Sequence, residues 1–142
     1  LHGLAVTRAN LIDMANSLRA EHGGGVLAER ILKRIPAGAN AIVESIRNPA
    51  EAQALRARDD FVLVAVKAPA QPRLMRIITR GRAGDPTNLV ELKALDERES
   101  YDVNKSGIQI KELVELADKV VLNDGSLELL RERVDVMLAT IL

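Results

Sequence analysis

Apolar positions along this chain follow two rhythms. Three short runs are almost continuously apolar and rich in β-branched residues: Ala41-Ile42-Val43-Glu44-Ser45, Phe61-Val62-Leu63-Val64-Ala65-Val66 and Lys119-Val120-Val121-Leu122. Runs of this kind, lacking polar alternation, predict strands buried on both faces of a parallel sheet. Between and around them the apolar spacing is that of helices. Thr7 is placed to cap a helix reaching about Glu21, with Leu11, Met14, Ala15 and Leu18 as its stripe, and His22-Gly23-Gly24-Gly25 breaks it. A second helix carries Leu27, Ile31 and Ile35 and stops at Pro36-Ala37-Gly38. Asn48-Pro49-Ala50-Glu51 combines a cap, a first-turn proline and a capping-box glutamate, so a short helix is expected up to Arg58-Asp59-Asp60. Further helices are predicted after Pro72 (Leu74, Ile77 and Ile78 inward, ending at Arg80-Gly81), from a Thr87 cap to about Glu99, and through Ile110, Leu113, Val114 and Ala117. Ser126 caps the last one, whose buried face is expected to hold Leu127, Leu130, Val134, Met137, Leu138 and Ile141. Strands alternating with helices predict an α/β sandwich with a short parallel sheet.

Composition narrows the function classes. The 142 residues suit one domain with a sizeable core, at 47% apolar and 28% charged. Twenty basic side chains balance twenty acidic ones, so no global field steers the chain to nucleic acid or an anionic membrane. Phe61 and Tyr101 are the only aromatics, too few for a base-stacking platform. The absence of Cys excludes disulfides and thiolate metal sites and fits a cytoplasmic protein. The apolar run Phe61–Val66 is too short to span a bilayer, and Leu1–Val6 lacks the features of a signal peptide. His2 and His22 are isolated, so no metal site is expected.

Three clusters carry candidate chemistry, each with a plainer alternative. Asn123-Asp124-Gly125-Ser126 follows a strand and opens a helix, where open α/β sheets bind ligands; an ordinary strand-to-helix turn has the same composition. Glu44 and Arg47 stand at another strand end, as a proton acceptor and a phosphate clamp, or as a solvated ion pair. Arg73, Arg76 and Arg80 fall on one helical stripe that Arg82 extends past Gly81. Converging guanidiniums suit a triphosphate, and Gly81 and Gly84 suit a closing motion; a basic face paired with Asp85, Glu91 or Asp96 explains the stripe equally well. Gly23-Gly24-Gly25 is followed by Val26-Leu27, and G-x-x-x-x-G-K-[ST] occurs nowhere in the sequence.

Four segments in order, Val43–Glu51, Phe61–Val66, Arg80-Gly81-Arg82 with Asp85-Pro86-Thr87, and Ala117–Leu130, resemble the dephospho-CoA kinase-like and adenylate kinase-like P-loop proteins. The resemblance spans roughly residues 4 to 136 and implies a single kinase-like domain over 1–142. Within it, residues 7–35 would be substrate-side helices, 70–100 a lid-like arginine region, and 117–142 the base-side turn and C-terminal helix. It further implies that Arg8, Arg19 and Arg47 face the substrate and that Glu44, the candidate catalytic residue, stands at the strand end where relatives often carry an Asp. Ser45 takes the place of the usual family Gly. Arg76, Arg80 and Arg82 would cover ATP phosphates, and Asn123, Asp124, Gly125 and Ser126 would border the adenine. The acceptor would be a nucleotide or another small phosphorylated or hydroxylated molecule.

The family's first strand, its phosphate loop and the following helix have no match here. That loop organises ATP phosphates and Mg²⁺, so ATP and Mg²⁺ are expected only if an upstream segment supplies it. Because the missing strand lies between those matching 41–45 and 61–66, two sheet edges would stand open, so the chain is expected to rearrange its sheet, to exchange strands with a second copy in a homodimer, or to be completed by upstream residues. The alternative is a non-catalytic nucleotide-binding or oligomeric module derived from a kinase.

Overall fold

The computed structural model describes residues 5–100 and 108–141, apart from the side chains of residues 8 and 9. In chain order its elements are α1 (Arg8–His22), α2 (Val26–Leu32), α3 (Pro49–Leu55), β1 (Val64–Lys67), α4 (Ala70–Arg80), α5 (Leu89–Ser100), α6 (Ile110–Glu115), β2 (Lys119–Leu122) and α7 (Leu127–Leu138). The class is α/β. The described sheet has two parallel strands, with Val64 opposite Lys119 and Lys67 opposite Leu122.

The expected strand at 41–45 does not form. Residues 39–47 carry no regular structure, and Ile42 is 98% exposed. A strand persists only if a neighbour takes its amides and carbonyls, and no strand lies beside this one among the described residues. The segment is fixed at its end instead: the amide of Gln109 donates to the carbonyl of Arg47 at 2.8 Å. Ser45 takes a φ of +64°, which ends any extended geometry.

Local signals placed several helix starts, but α4 begins at Ala70, ahead of the expected start after Pro72, which lies inside its first turn. Thr7 accepts from the amide of Asn10, and Asn48 and Glu51 form the expected capping box with Pro49 in the first turn. Ser126 accepts from the amide of Leu129. Before α5 the roles shift by one residue: Asn88 accepts from the amide of Glu91, while Thr87 donates to the Glu91 carboxylate. Gly81 closes α4 in the left-handed region at φ +62°. The triple glycine does more than break a helix. A Cβ on Gly24 would lie 2.8 Å from the Ala50 Cβ, so the turn between α1 and α2 sits directly on the start of α3.

The core lies where α3, the approach to β1 and α6 meet. Ala52, Leu63 and Leu113 are buried together, with Ile46, Phe61, Ile110 and Ala117 packed around them. Asp118 sets the sheet register: it accepts from the amide of Leu63 at 2.8 Å and pairs with Arg56, while its own amide returns to the Leu63 carbonyl. These contacts hold its carboxyl below the usual range, the Leu63 amide first and Arg56 after it. Four stripes differ from expectation: Leu11 of α1 and Ile78 of α4 are 45% and 47% exposed, and α2 and α7 also depart. Val26 and Ala28 are the buried residues of α2, with Ile31 38% exposed. No α7 residue is fully buried, and Leu127 is 55% exposed. Two strands offer too little surface to cover a helix with so broad an apolar face.

One buried polar centre joins the helices. Arg19 of α1 donates from Nε and Nη2 to Glu51 Oε1 at 3.1 and 2.7 Å. Glu51 Oε2 accepts from the amides of Arg47 and Asn48 at 2.9 and 3.2 Å. Arg19, Glu51 and Asn48 are all buried. Removing one member of such a centre strands the other. Glu51→Ala is expected to lower unfolding stability by about 3–5 kcal/mol in urea titration, and adding Arg19→Met to recover part of that loss.

Candidate functional site

Two places gather polar chemistry. The first is the turn after β2. Asn123 donates its amide to the carbonyl of Lys67 at 2.7 Å, continuing the sheet ladder one residue past the strand. From α4, Arg76 donates to the carbonyls of Asn123 and Gly125 at 3.1 and 3.2 Å. From α7, Arg133 pairs with Asp124 at 2.5 Å and also donates to the Leu122 carbonyl. The Arg133 guanidinium holds the Asp124 carboxyl below its usual range. Gly125 is not among the positive-φ residues, so its conformational freedom is not what makes the turn.

The second is a pocket of about 460 Å³ between the 45–47 segment, α4, α5 and the start of α6. Ser45, Arg47, Arg73, Asp96, Glu99 and Ser100 supply its polar lining. Arg73 pairs with Asp96, and Arg47 lies 3.6 Å from Glu99. Arg73 Nε is buried with no hydrogen-bond partner among the described residues. The Glu51 carboxylate, by holding the Arg47 amide, fixes where this wall of the pocket begins.

The residues singled out by sequence distribute unevenly over these places. Arg47 lines the pocket, whereas Glu44 is exposed and outside its lining. Arg19 is buried on Glu51 and Asn16, so its direct role is to hold α1 against α3. Arg8 lies in α1, and its side chain is outside the described residues. The arginine stripe does not converge as a free cluster. Arg76 is on the turn, and Arg80 grips Asp85 with bonds of 2.9 to 3.1 Å. The Arg80 guanidinium, and after it the backbone amide and charge of Arg82, draw the Asp85 carboxyl below its usual range. Arg82 is exposed. Among the described residues no group of three His, Asp or Glu side chains gathers as a metal site.

Asp96, one of the partners the sequence offered the arginine stripe, does pair with Arg73, but neither it nor Glu99 was foreseen as a pocket residue. Their i, i+3 spacing is the one signal that both reach the same side. Arg133 was missed because its partner lies across a turn.

The chain is similar to a UPF0200 protein of Hyperthermus butylicus, at 34% identity over 89% of this chain and 66% of the relative. A UPF0200/UPF0201 protein of Archaeoglobus fulgidus matches at 34% over 89% of this chain and 39% of its own length. A UPF0200 protein of Methanothrix thermoacetophila matches at 33% over 96% of this chain and 74% of its own length. The chain belongs to the UPF0200 family. No family model matches it. It spans about two-thirds of the Hyperthermus relative and under half of the Archaeoglobus one. The UPF0200 designation states no activity, so function rests on the geometry above. No helix of the described residues is long and apolar enough to cross a membrane.

Ser45 is the strained point of the pocket wall. Left-handed geometry costs a non-glycine residue about 1–2 kcal/mol, offset in part by the greater unfolded-state freedom of glycine. Ser45→Gly is therefore expected to be neutral or to stabilise by up to about 1 kcal/mol. Ser45→Val, β-branched at a positive φ, is expected to destabilise; chemical denaturation of both variants checks the pair.

Proposed function

We propose that this chain is the C-terminal portion of an ATP-dependent nucleotide or nucleoside-type kinase. In this reading it does not turn over substrate alone. The observation that carries the reading is the Arg76 bridge. Helix α4, expected as the lid side, and the 123–126 turn, expected as the base side, lie 47 residues apart in sequence and are joined through two carbonyls. The positive φ of Ser45 adds support, because it falls where relatives of the kinase type place glycine. The open edge of β1 and the unpaired 41–47 segment suit a strand supplied from upstream or by a second copy.

The residues present do not fit ATP phosphates or Mg²⁺. The G-x-x-x-x-G-K-[ST] cradle is absent from the sequence, and Arg76 and Arg80 are engaged by carbonyls and by Asp85. No step of the reaction is routed through them, and in this reading the chain supplies the substrate-side and base-side walls. Arg47 is the residue we assign to the acceptor, with Glu44 as candidate proton acceptor. A second reading, a non-catalytic nucleotide-binding or oligomeric module, is favoured by the Arg80–Asp85 grip, which occupies the guanidinium a triphosphate would need. Both readings suit a cytoplasmic protein.

ATP calorimetry and a coupled turnover assay separate them. The samples are the chain as it stands and the chain preceded by whatever its gene encodes upstream of Leu1. The kinase reading expects turnover from the extended protein and none from the 142 residues alone. An extended protein that binds no ATP, or binds it without turnover, sinks that reading, and binding without turnover favours the second.

A further inference from the structure

The turn after β2 contains the one Asp-Gly pair of the sequence, Asp124-Gly125, and Asn-Gly occurs nowhere. An aspartyl side chain followed by glycine can close on its own backbone. The Gly125 amide nitrogen attacks Cγ of Asp124, a five-membered imide forms and one water leaves. Water then opens the imide at either carbonyl. One opening restores aspartate. The other leaves the chain running through Cβ and Cγ, with the former backbone carbonyl now a free carboxylate. Glycine favours closure because no Cβ shields its nitrogen and its backbone is permissive.

The fold calls for both residues at this turn. A Cβ on Gly125 would lie 2.8 Å from Cδ2 of Leu129, so the start of α7 packs against the bare glycine. Asp124 answers Arg133, whose Nη1 donates to Oδ1 at 2.5 Å and also to the Leu122 carbonyl. The two side chains are 32% and 33% exposed, so water reaches the turn. Against closure stands the ion pair. A carboxylate oxygen leaves as water only after protonation, and the Arg133 guanidinium favours the ionised form. The same bond pins one carboxylate oxygen, which restrains Cγ from swinging to the Gly125 nitrogen. Arg76 holds the carbonyls on either side, those of Asn123 and Gly125, and so restrains the backbone as well.

We propose that Asp124 is the isoaspartate-forming site of this protein and that Arg133 is the side chain that holds the reaction back. The structural consequence runs through Arg76. Isomerisation adds one backbone atom between the two carbonyls that its guanidinium bridges, so the contact of α4 with the turn is lost in the product. The reaction needs only the chain and water, and the inference does not depend on the kinase reading.

Prolonged incubation at neutral pH tests it, followed by peptide mapping and enzymatic methylation of isoaspartyl carboxylates. In the wild-type chain the product is expected at Asp124 ahead of every other aspartate. Arg133→Met is expected to raise its rate about two- to fivefold, the scale of a partly exposed ion pair. Arg133→Lys keeps the charge on a shorter-reaching point donor and is expected to fall between the two. A synthetic peptide of Ala117–Leu130 carries the Asp-Gly pair without Arg133 and is expected to react faster than any of the folded proteins. A folded Arg133→Met protein that forms isoaspartate at the wild-type rate overturns the proposal, and so does a product that appears first at another residue. Should Arg133→Met not fold, the other samples decide: a wild-type chain that reacts as fast as the peptide, or an Arg133→Lys protein slower than the wild type, overturns it equally.

Discussion

The Glu51 carboxylate is the interaction on which the rest of the structure depends. One oxygen takes the Arg19 guanidinium of α1, and the other takes the amides of Arg47 and Asn48. A single buried side chain thus caps α3, docks α1 and pins the end of an otherwise unpaired segment. Burying a carboxylate is costly unless its charge and lone pairs are both satisfied. Here an arginine answers the charge and backbone amides answer the second oxygen. The glycines at 24 and 25 contribute by letting the α1–α2 turn approach the start of α3 without a Cβ in the way.

The second constraint is the narrowness of the described sheet. Two four-residue strands form a narrow platform, and its effects reach distant elements. Residues 41–45 carry strand composition but lack a ladder partner and remain irregular. Val66 and Val120 are 61% and 54% exposed. Helix α7 leans on β2 with no residue fully buried, which leaves an open groove of about 640 Å³ lined in part by Val120, Leu122, Val136 and Met137. Each of these follows from a platform of two short strands, which leaves apolar surface without a cover among the described residues.

Much of the fold was legible wherever the cause is local. Thr7, Asn48, Glu51 and Ser126 mark helix starts because a cap needs only a side chain and the amides of the next turn. Strand β2 falls where its β-branched run lies. What failed is what depends on partners. Ile42 and Val43 predict a strand only if something pairs with them, and Leu127 predicts a buried face only if something covers it. The candidate site was half legible for the same reason. Arg47 was found by its position after a strand-like run. The engagement of Arg76 by two backbone carbonyls and of Arg19 by Glu51 has no sequence signature, since those partners are 47 and 32 residues or more away. Asp96 was among the partners named for the α4 arginines, whereas nothing in the sequence brought Glu99 to Arg47.

The claim that Glu51 organises this architecture is most directly tested by amide hydrogen exchange at Arg47 and Asn48, followed by NMR in the wild-type protein and in Glu51→Gln. The account predicts that both amides are strongly protected in the wild type. In the variant both should exchange much faster, while the β2 amides, held by an independent ladder, change far less. Unchanged protection at Arg47 and Asn48 in Glu51→Gln would contradict it.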